Sequence, residues 1–200
     1  MKRVARVLLG VLTLVAIGSQ LVIHVRMGAS PINFFSYFTN LSNLFAAVVL
    51  LITGSARTIA IRLQPLRGLS VTNMAVVGIV FTLLLRNDDL GALQPWVNFV
   101  LHYLTPCAVV LDWLLEPSPD RLSWAHLAKF LTFPAAYLVY TLVRGAAVGW
   151  YPYPFLSPER VGGYGGVAAY TVGITGIFVL VGWLVLLLGR AGQRLPSGQI

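Results

Sequence analysis

Six apolar stretches recur along this 200-residue chain, approximately at 4 to 25, 34 to 53, 69 to 85, 95 to 115, 127 to 144 and 166 to 188. Each has 17 or more residues, close to the roughly 20 that a helix needs to cross about 30 Å of hydrocarbon. A backbone in lipid finds no water for its polar groups, so unbroken apolar runs of this length fold as helices that satisfy themselves. The expected fold is therefore all-α: a polytopic membrane protein with six transmembrane helices in one bundle, a single domain over residues 1 to 200. Composition agrees, since 58% of residues are hydrophobic and 10% are charged, against about 25% charged in an ordinary soluble domain.

The net charge of +8 raises the question of nucleic acid, and the placement of the basic residues argues against it. With the N-terminus, the 54 to 68 loop, the 116 to 126 segment with Lys129, and the C-terminus on one side, that side holds Lys2, Arg3, Arg6, Arg57, Arg62, Arg67, Arg121, Lys129, Arg190 and Arg194, ten of fourteen. The other side has Arg26, Arg86, Arg144 and Arg160. The positive-inside rule then puts both termini in the cytoplasm, and the surplus is a topology signal and a contact for anionic lipid. The N-terminal Lys2-Arg3, an apolar run and Ala16-Ile17-Gly18 imitate a secretory signal. The apolar pattern continues through Leu21, Val22 and Ile23, which favours an uncleaved first helix.

The connections are short, so any chemistry falls within the bundle or at its rim. The fifth connection, Gly149-Trp150-Tyr151-Pro152-Tyr153-Pro154-Phe155-Leu156, is stiffened by two prolines, and its rings suit the membrane interface. It reads equally as an interfacial anchor or as a lid over a lipid cavity. Gly162, Gly163, Gly165 and Gly166 lack a following Lys-Ser/Thr and read as a flexible helix entry. The single Cys107, inside the fourth span, excludes an internal disulfide or a cysteine metal cluster and suits ordinary packing.

The polarity within the spans is concentrated. Asn98, His102, Thr105 and Asp112 fall within an arc of roughly 80° on the fourth span at 100° per residue. Ionisable groups at membrane depth cost about 3 kcal/mol or more and call for a partner, a cavity or a reaction. Asp112, near the cytoplasmic end, suits pairing with a base of loop two or loop four as well as a catalytic task. In the second span Ser36, Asn40 and Asn43 share one helical face, with Thr39 beside them. Thr39 lies about 8 Å below the outer end of its span and His102 about 10 Å below the start of its own. A hydroxyl and an imidazole at equal depth are the minimum for a nucleophile and its general base. Asn40, Asn43 or Asn98 could donate to an oxyanion. Arg86 on the third span and Arg144 with Tyr140 on the fifth either snorkel to the interface or hold a carboxylate headgroup.

These islands give the chain a resemblance. Phe38-Thr39, Asn98-x3-His102 with Asp112 ten residues on, and Trp150 through Tyr153-Pro154-Phe155-Leu156 are similar to the androgen-induced gene 1 and androgen-dependent TFPI-regulating protein family. Its members are integral membrane hydrolases that cleave fatty acid esters of hydroxy fatty acids with a threonine and a histidine. The resemblance implies that Thr39 is the nucleophile and His102 the general base, acting on a lipid or fatty-acyl substrate; the topology and histidine placement add the expectation of a bacterial inner-membrane protein without cofactor or metal.

The competing expectation is a non-enzymatic membrane protein, either a small transporter or an interaction scaffold with a polar interior. Haem would need two facing histidines; His24 and His102 meet that requirement only if both lie at the outer side. Three histidines scattered over different depths do not make a zinc site.

Overall fold

A computed structural model describes residues 3–56, 63–88, 91–118 and 122–191. Lys2, Arg57, Arg62, Arg121 and Arg194 of the basic set, with Pro119 of loop four, lie outside the described residues. The described chain is all-α and carries six helices long and apolar enough to cross a membrane, which makes it a multi-pass integral membrane protein. We label them α1 (Arg3–Arg26), α3 (Phe38–Ser55), α4 (Gln64–Leu85), α5 (Pro95–Leu115), α6 (Trp124–Val148) and α7 (Tyr164–Ala191), with a short α2 (Pro31–Phe35) before α3. The six spans alternate in direction, so both ends of the described chain share one face, here called the basic face.

Helices α3, α4 and α5 form the centre, whereas only 11% of the α6 span is buried, so it stands at the periphery. The α1–α3 seam is built from small residues: a Cβ at Gly10 would stand 3.1 Å from the Ala47 carbonyl oxygen. A Cβ at Gly54 would stand 2.9 Å from the Arg3 carbonyl oxygen. Without a hydrophobic drive between helices in lipid, such close approach supplies the packing. Cys107 is exposed on the outward side of α5 and contributes nothing to the core, contrary to the packing role expected of it.

The second span begins at Phe38, not at residue 34. Ser30 caps α2 through its Oγ and the Ile32 N–H at 3.2 Å, Pro31 opens the helix, and Tyr37 in an extended conformation separates α2 from α3. A break at this depth strands backbone polar groups, and the local polar side chains serve them. Asn40 Nδ2 donates to the Phe34 oxygen at 2.8 Å, and Tyr137 Oη donates to the Ser36 oxygen at 2.8 Å. Ser36 therefore sits in the break and does not continue the face of Asn40 and Asn43.

Two further irregularities face each other. The last turn of α4, Phe81–Leu85, and the second turn of α5, Val100–Leu104, are both π-helical. Single π-turns occur mostly where a function re-aims a side chain. Here they bring the rings of Phe81 and His102 to 3.9 Å, stacked at 23°.

Candidate active site

The π-turn divides the polar stripe of α5 among separate tasks. Thr105 Oγ1 lies 3.0 Å from Thr13 Oγ1 of α1. Asp112, at the basic face, accepts from Arg6 Nε at 3.0 and 3.1 Å and from Arg67 Nη2 at 3.0 Å. Of the two roles open to Asp112, ion pairing is observed; Arg67 comes from the loop-two region, while Arg6 comes from α1. Arg6 also reaches Glu116 at 2.7 Å, and the Arg67 guanidinium lies over the Trp113 ring.

His102 serves the opposite face. Its Nδ1 lies 3.3 Å from the Asn98 carbonyl oxygen. A carbonyl only accepts, so this contact selects the Nδ1–H tautomer and leaves Nε2 with a lone pair. No described residue hydrogen-bonds Nε2, and the ring lines a cavity of about 480 Å³. This vestibule is polar on several sides: Gln20 and His24 of α1, Asn40 of α3, Asp88 after α4 and Arg160 of the fifth connection line it. Gln20 fixes its rim, donating to the Ala92 oxygen at 3.0 Å and accepting from the Gln94 N–H at 3.1 Å.

Beside it lies a second cavity of about 200 Å³ between α4, α6 and α7, lined by Val77, Leu131, Pro134, Leu138, Ile174 and Phe178 among others. Thr39, Phe81, Leu85 and Tyr153 line both spaces and so form the wall between a polar and an apolar compartment. Thr171 Oγ1, buried on the apolar side, has no hydrogen-bond partner.

Thr39 differs from the threonines that bond back onto their own helix. Thr13, Thr53, Thr72 and Thr82 each donate to the carbonyl four residues earlier. Thr39 stands in the first turn of α3, and the break before it removes that acceptor. Its Oγ1 meets the Tyr153 hydroxyl at 3.3 Å, and its N–H donates to the same oxygen at 3.1 Å. No hydrogen bond joins Thr39 directly to His102; they share the vestibule lining with Phe81, whose ring stacks on the imidazole.

The other expected site residues separate. Asn40 lines the vestibule and uses one N–H on Phe34. Asn43, one turn deeper, spends Nδ2 on the Thr39 and Leu101 oxygens at 2.9 and 3.0 Å; it positions both partners and has no amide hydrogen left for an oxyanion. Asn98 lines neither cavity and acts through its backbone oxygen. Arg86 is exposed and lines neither cavity. Arg144 donates to Asn33 Oδ1 at 2.6 Å and lies over Trp150, and Tyr140 meets the Ser36 hydroxyl at 2.9 Å. Both brace the α2–α3 break.

Sequence reasoning treated the rings of the fifth connection as interfacial, yet Tyr153 and Phe155 are buried. They stack at 5.1 Å with 6° between planes, and Tyr37 meets Tyr153 edge-on at 5.7 Å. Burial pushes the Tyr153 phenol up to about 12, so it keeps its proton as a donor. The Pro-Tyr-Pro spelling signals a stiff strap but carries no trace of its partner 114 residues away. Phe81 and Arg160 were likewise missed as site residues, because only tertiary packing brings them to His102's cavity. Among the described residues, no group of three His, Cys, Asp or Glu side chains is placed to hold a metal. His24 does share the vestibule with His102; its Nε2 lies 3.0 Å from the Ser30 oxygen. Protein-family models, curated proteins and solved structures were all compared with this chain, and none matches it.

Proposed function

We propose that this protein is an intramembrane hydrolase of lipid esters, of the fatty acid ester of hydroxy fatty acid type, with Thr39 as nucleophile and His102 as general base. The observation that carries this reading is the position of Thr39 in the wall between an apolar cavity and a polar vestibule. An ester has the same division: its acyl chain fits the apolar side, while its carbonyl meets the threonine and water reaches it from the vestibule. Thr39 Oγ attacks the carbonyl carbon and its proton passes to His102 Nε2, directly or through one water. The C–O bond to the alcohol breaks as that proton moves to the leaving oxygen. Water, deprotonated by His102, then resolves the acyl-threonine and regenerates both residues.

The resemblance set out above supports the same pair. In this reading the basic face is cytoplasmic, as the positive-inside rule suggests, and the vestibule opens toward the periplasm of a bacterial inner membrane. The test uses purified protein and its Thr39→Ala and His102→Ala forms on 4-methylumbelliferyl acyl esters, together with labelling by a fluorophosphonate probe. Each substitution is expected to lower turnover by at least 100-fold, and labelling is expected at Thr39. Full activity in both variants excludes the mechanism.

A second reading, a small transporter or scaffold, is favoured by one observation. Ser42 Oγ, Asn43 Oδ1 and both polar atoms of the fully buried Asn73 have no partner, as a hydrated interior would require. Solute flux into proteoliposomes without probe labelling would establish it.

A further inference from the structure

Resting on the hydrolase reading, we propose that Tyr153 is a further catalytic residue, whose phenol O–H together with the Thr39 N–H forms the oxyanion hole. The Tyr153 oxygen already touches both relevant atoms of Thr39, Oγ1 at 3.3 Å and the backbone nitrogen at 3.1 Å. The N–H belongs to the first turn of an 18-residue helix, where backbone donors have no intrahelical acceptor and the dipole favours negative charge. In the free protein the phenol oxygen takes that N–H, so the N–H and the phenol O–H lie side by side and can converge on one oxygen placed next to them.

The surroundings make Tyr153 the donor best placed for this task. A carbonyl held at the wall between the two cavities lies against Tyr153, because the phenol is part of that wall. Asn43 has spent both amide hydrogens on backbone oxygens, and Asn98 lines neither cavity. The ring is fixed by Phe155 stacked on it and by Tyr37 at its edge, so the donor is oriented before substrate arrives, which is what makes such a group effective in a dry site. When Thr39 Oγ bonds to the carbonyl carbon, the C=O π pair moves to oxygen. Tyr153 turns its O–H to that oxygen, and the Thr39 N–H transfers from the phenol to the same oxygen. Collapse of the intermediate restores the C=O and releases both donors. Tyr153 keeps its proton throughout.

Turnover of 4-methylumbelliferyl acyl esters in detergent tests the proposal with wild type, Thr39→Ala, Tyr153→Phe, and protein carrying 3-fluorotyrosine or 3,5-difluorotyrosine at position 153. Loss of one oxyanion donor is expected to lower kcat about 100- to 1,000-fold, with KM within threefold because the ring and its packing remain. The fluorinated phenols keep shape and hydroxyl. They are expected to restore kcat and to change it progressively with donor acidity, a response that a purely structural ring does not give. This arm decides the matter even if Tyr153→Phe fails to fold. A Tyr153→Phe form within threefold of wild-type kcat, or a flat fluorotyrosine series, overturns the proposal while the Thr39 reading stands. A wild type without Thr39-dependent turnover overturns both.

Discussion

Replacing Asp112 by alanine isolates the ion-paired cluster that closes the basic end of the bundle. Asp112 is 4% exposed, and it accepts the single Arg6 Nε–H, shared between its two oxygens, and one N–H from Arg67, both arginines being buried as deeply. Hydrogen bonds to charged groups contribute about 1.5–3 kcal/mol each, so the two donated N–H groups set a gross loss of about 3–6 kcal/mol. Part of this is retained, because Arg6 keeps Glu116 at 2.7 Å and Arg67 keeps Gln64 Oε1 at 2.9 Å and the Glu116 backbone oxygen at 3.0 Å. Glu116 is 55% exposed at its side chain, and solvent screening makes it a weak substitute. The expected net cost is about 3–5 kcal/mol, the range for stripping one partner from a buried pair. For a chain of this size that lowers Tm by roughly 6–20 °C.

The assay is thermal unfolding of purified protein in one detergent, beside the triple form Arg6→Met, Arg67→Met, Asp112→Leu. That form removes all three charges together and is expected to recover most of the loss, because no charge is left buried alone. A loss below about 1 kcal/mol for Asp112→Ala would refute the argument, since it would mean that water solvates the two guanidinium groups as well as the carboxylate does. Turnover per folded molecule should not change, because the cluster lies at the opposite end from Thr39 and His102.

Titration of Tyr153 gives a prediction outside the spans. Burial raises the folded phenol to about 12, above the ordinary 10.0 of an exposed tyrosine, so the folded state holds the proton more tightly. Stability is then fully present below pH 10 and falls between about pH 10 and 12, by about 2–3 kcal/mol at 1.36 kcal/mol per unit; chemical denaturation against pH should show a drop absent from Tyr153→Phe. Gly145 backs the strap, and a Cβ there would stand 2.0 Å from the Tyr151 ring. Gly145→Ala is expected to displace that ring, cost about 1–3 kcal/mol as overpacking does, and lower ester turnover; an unchanged Tm would show that the ring moves aside freely.

The number and order of the spans were legible because hydrophobic length is a local property of the chain. The break at Ser36-Tyr37 was not. The polar residues around it read as a functional face of one helix, whereas Asn40 and Ser36 chiefly serve backbone and side-chain groups that the break exposes. The α5 stripe misled in a similar way: a constant 100° per residue does not hold through a π-turn, so Thr105 and Asp112 turn to α1 while His102 turns to the vestibule. Arg144 and Tyr140, candidates for a headgroup, brace a neighbouring element.

The amino-acid sequence by itself determined six membrane-crossing helices, the asymmetric placement of basic residues, and the singling out of Thr39 and His102. Each of these depends on composition, spacing or depth along one helix. Only the tertiary structure decided that Thr39 loses its usual carbonyl acceptor, that Tyr153 reaches it across 114 positions, and that the pair stands where a polar space meets an apolar one. Those relations arise between segments far apart in the chain, where no local pattern records which side chains will share a wall.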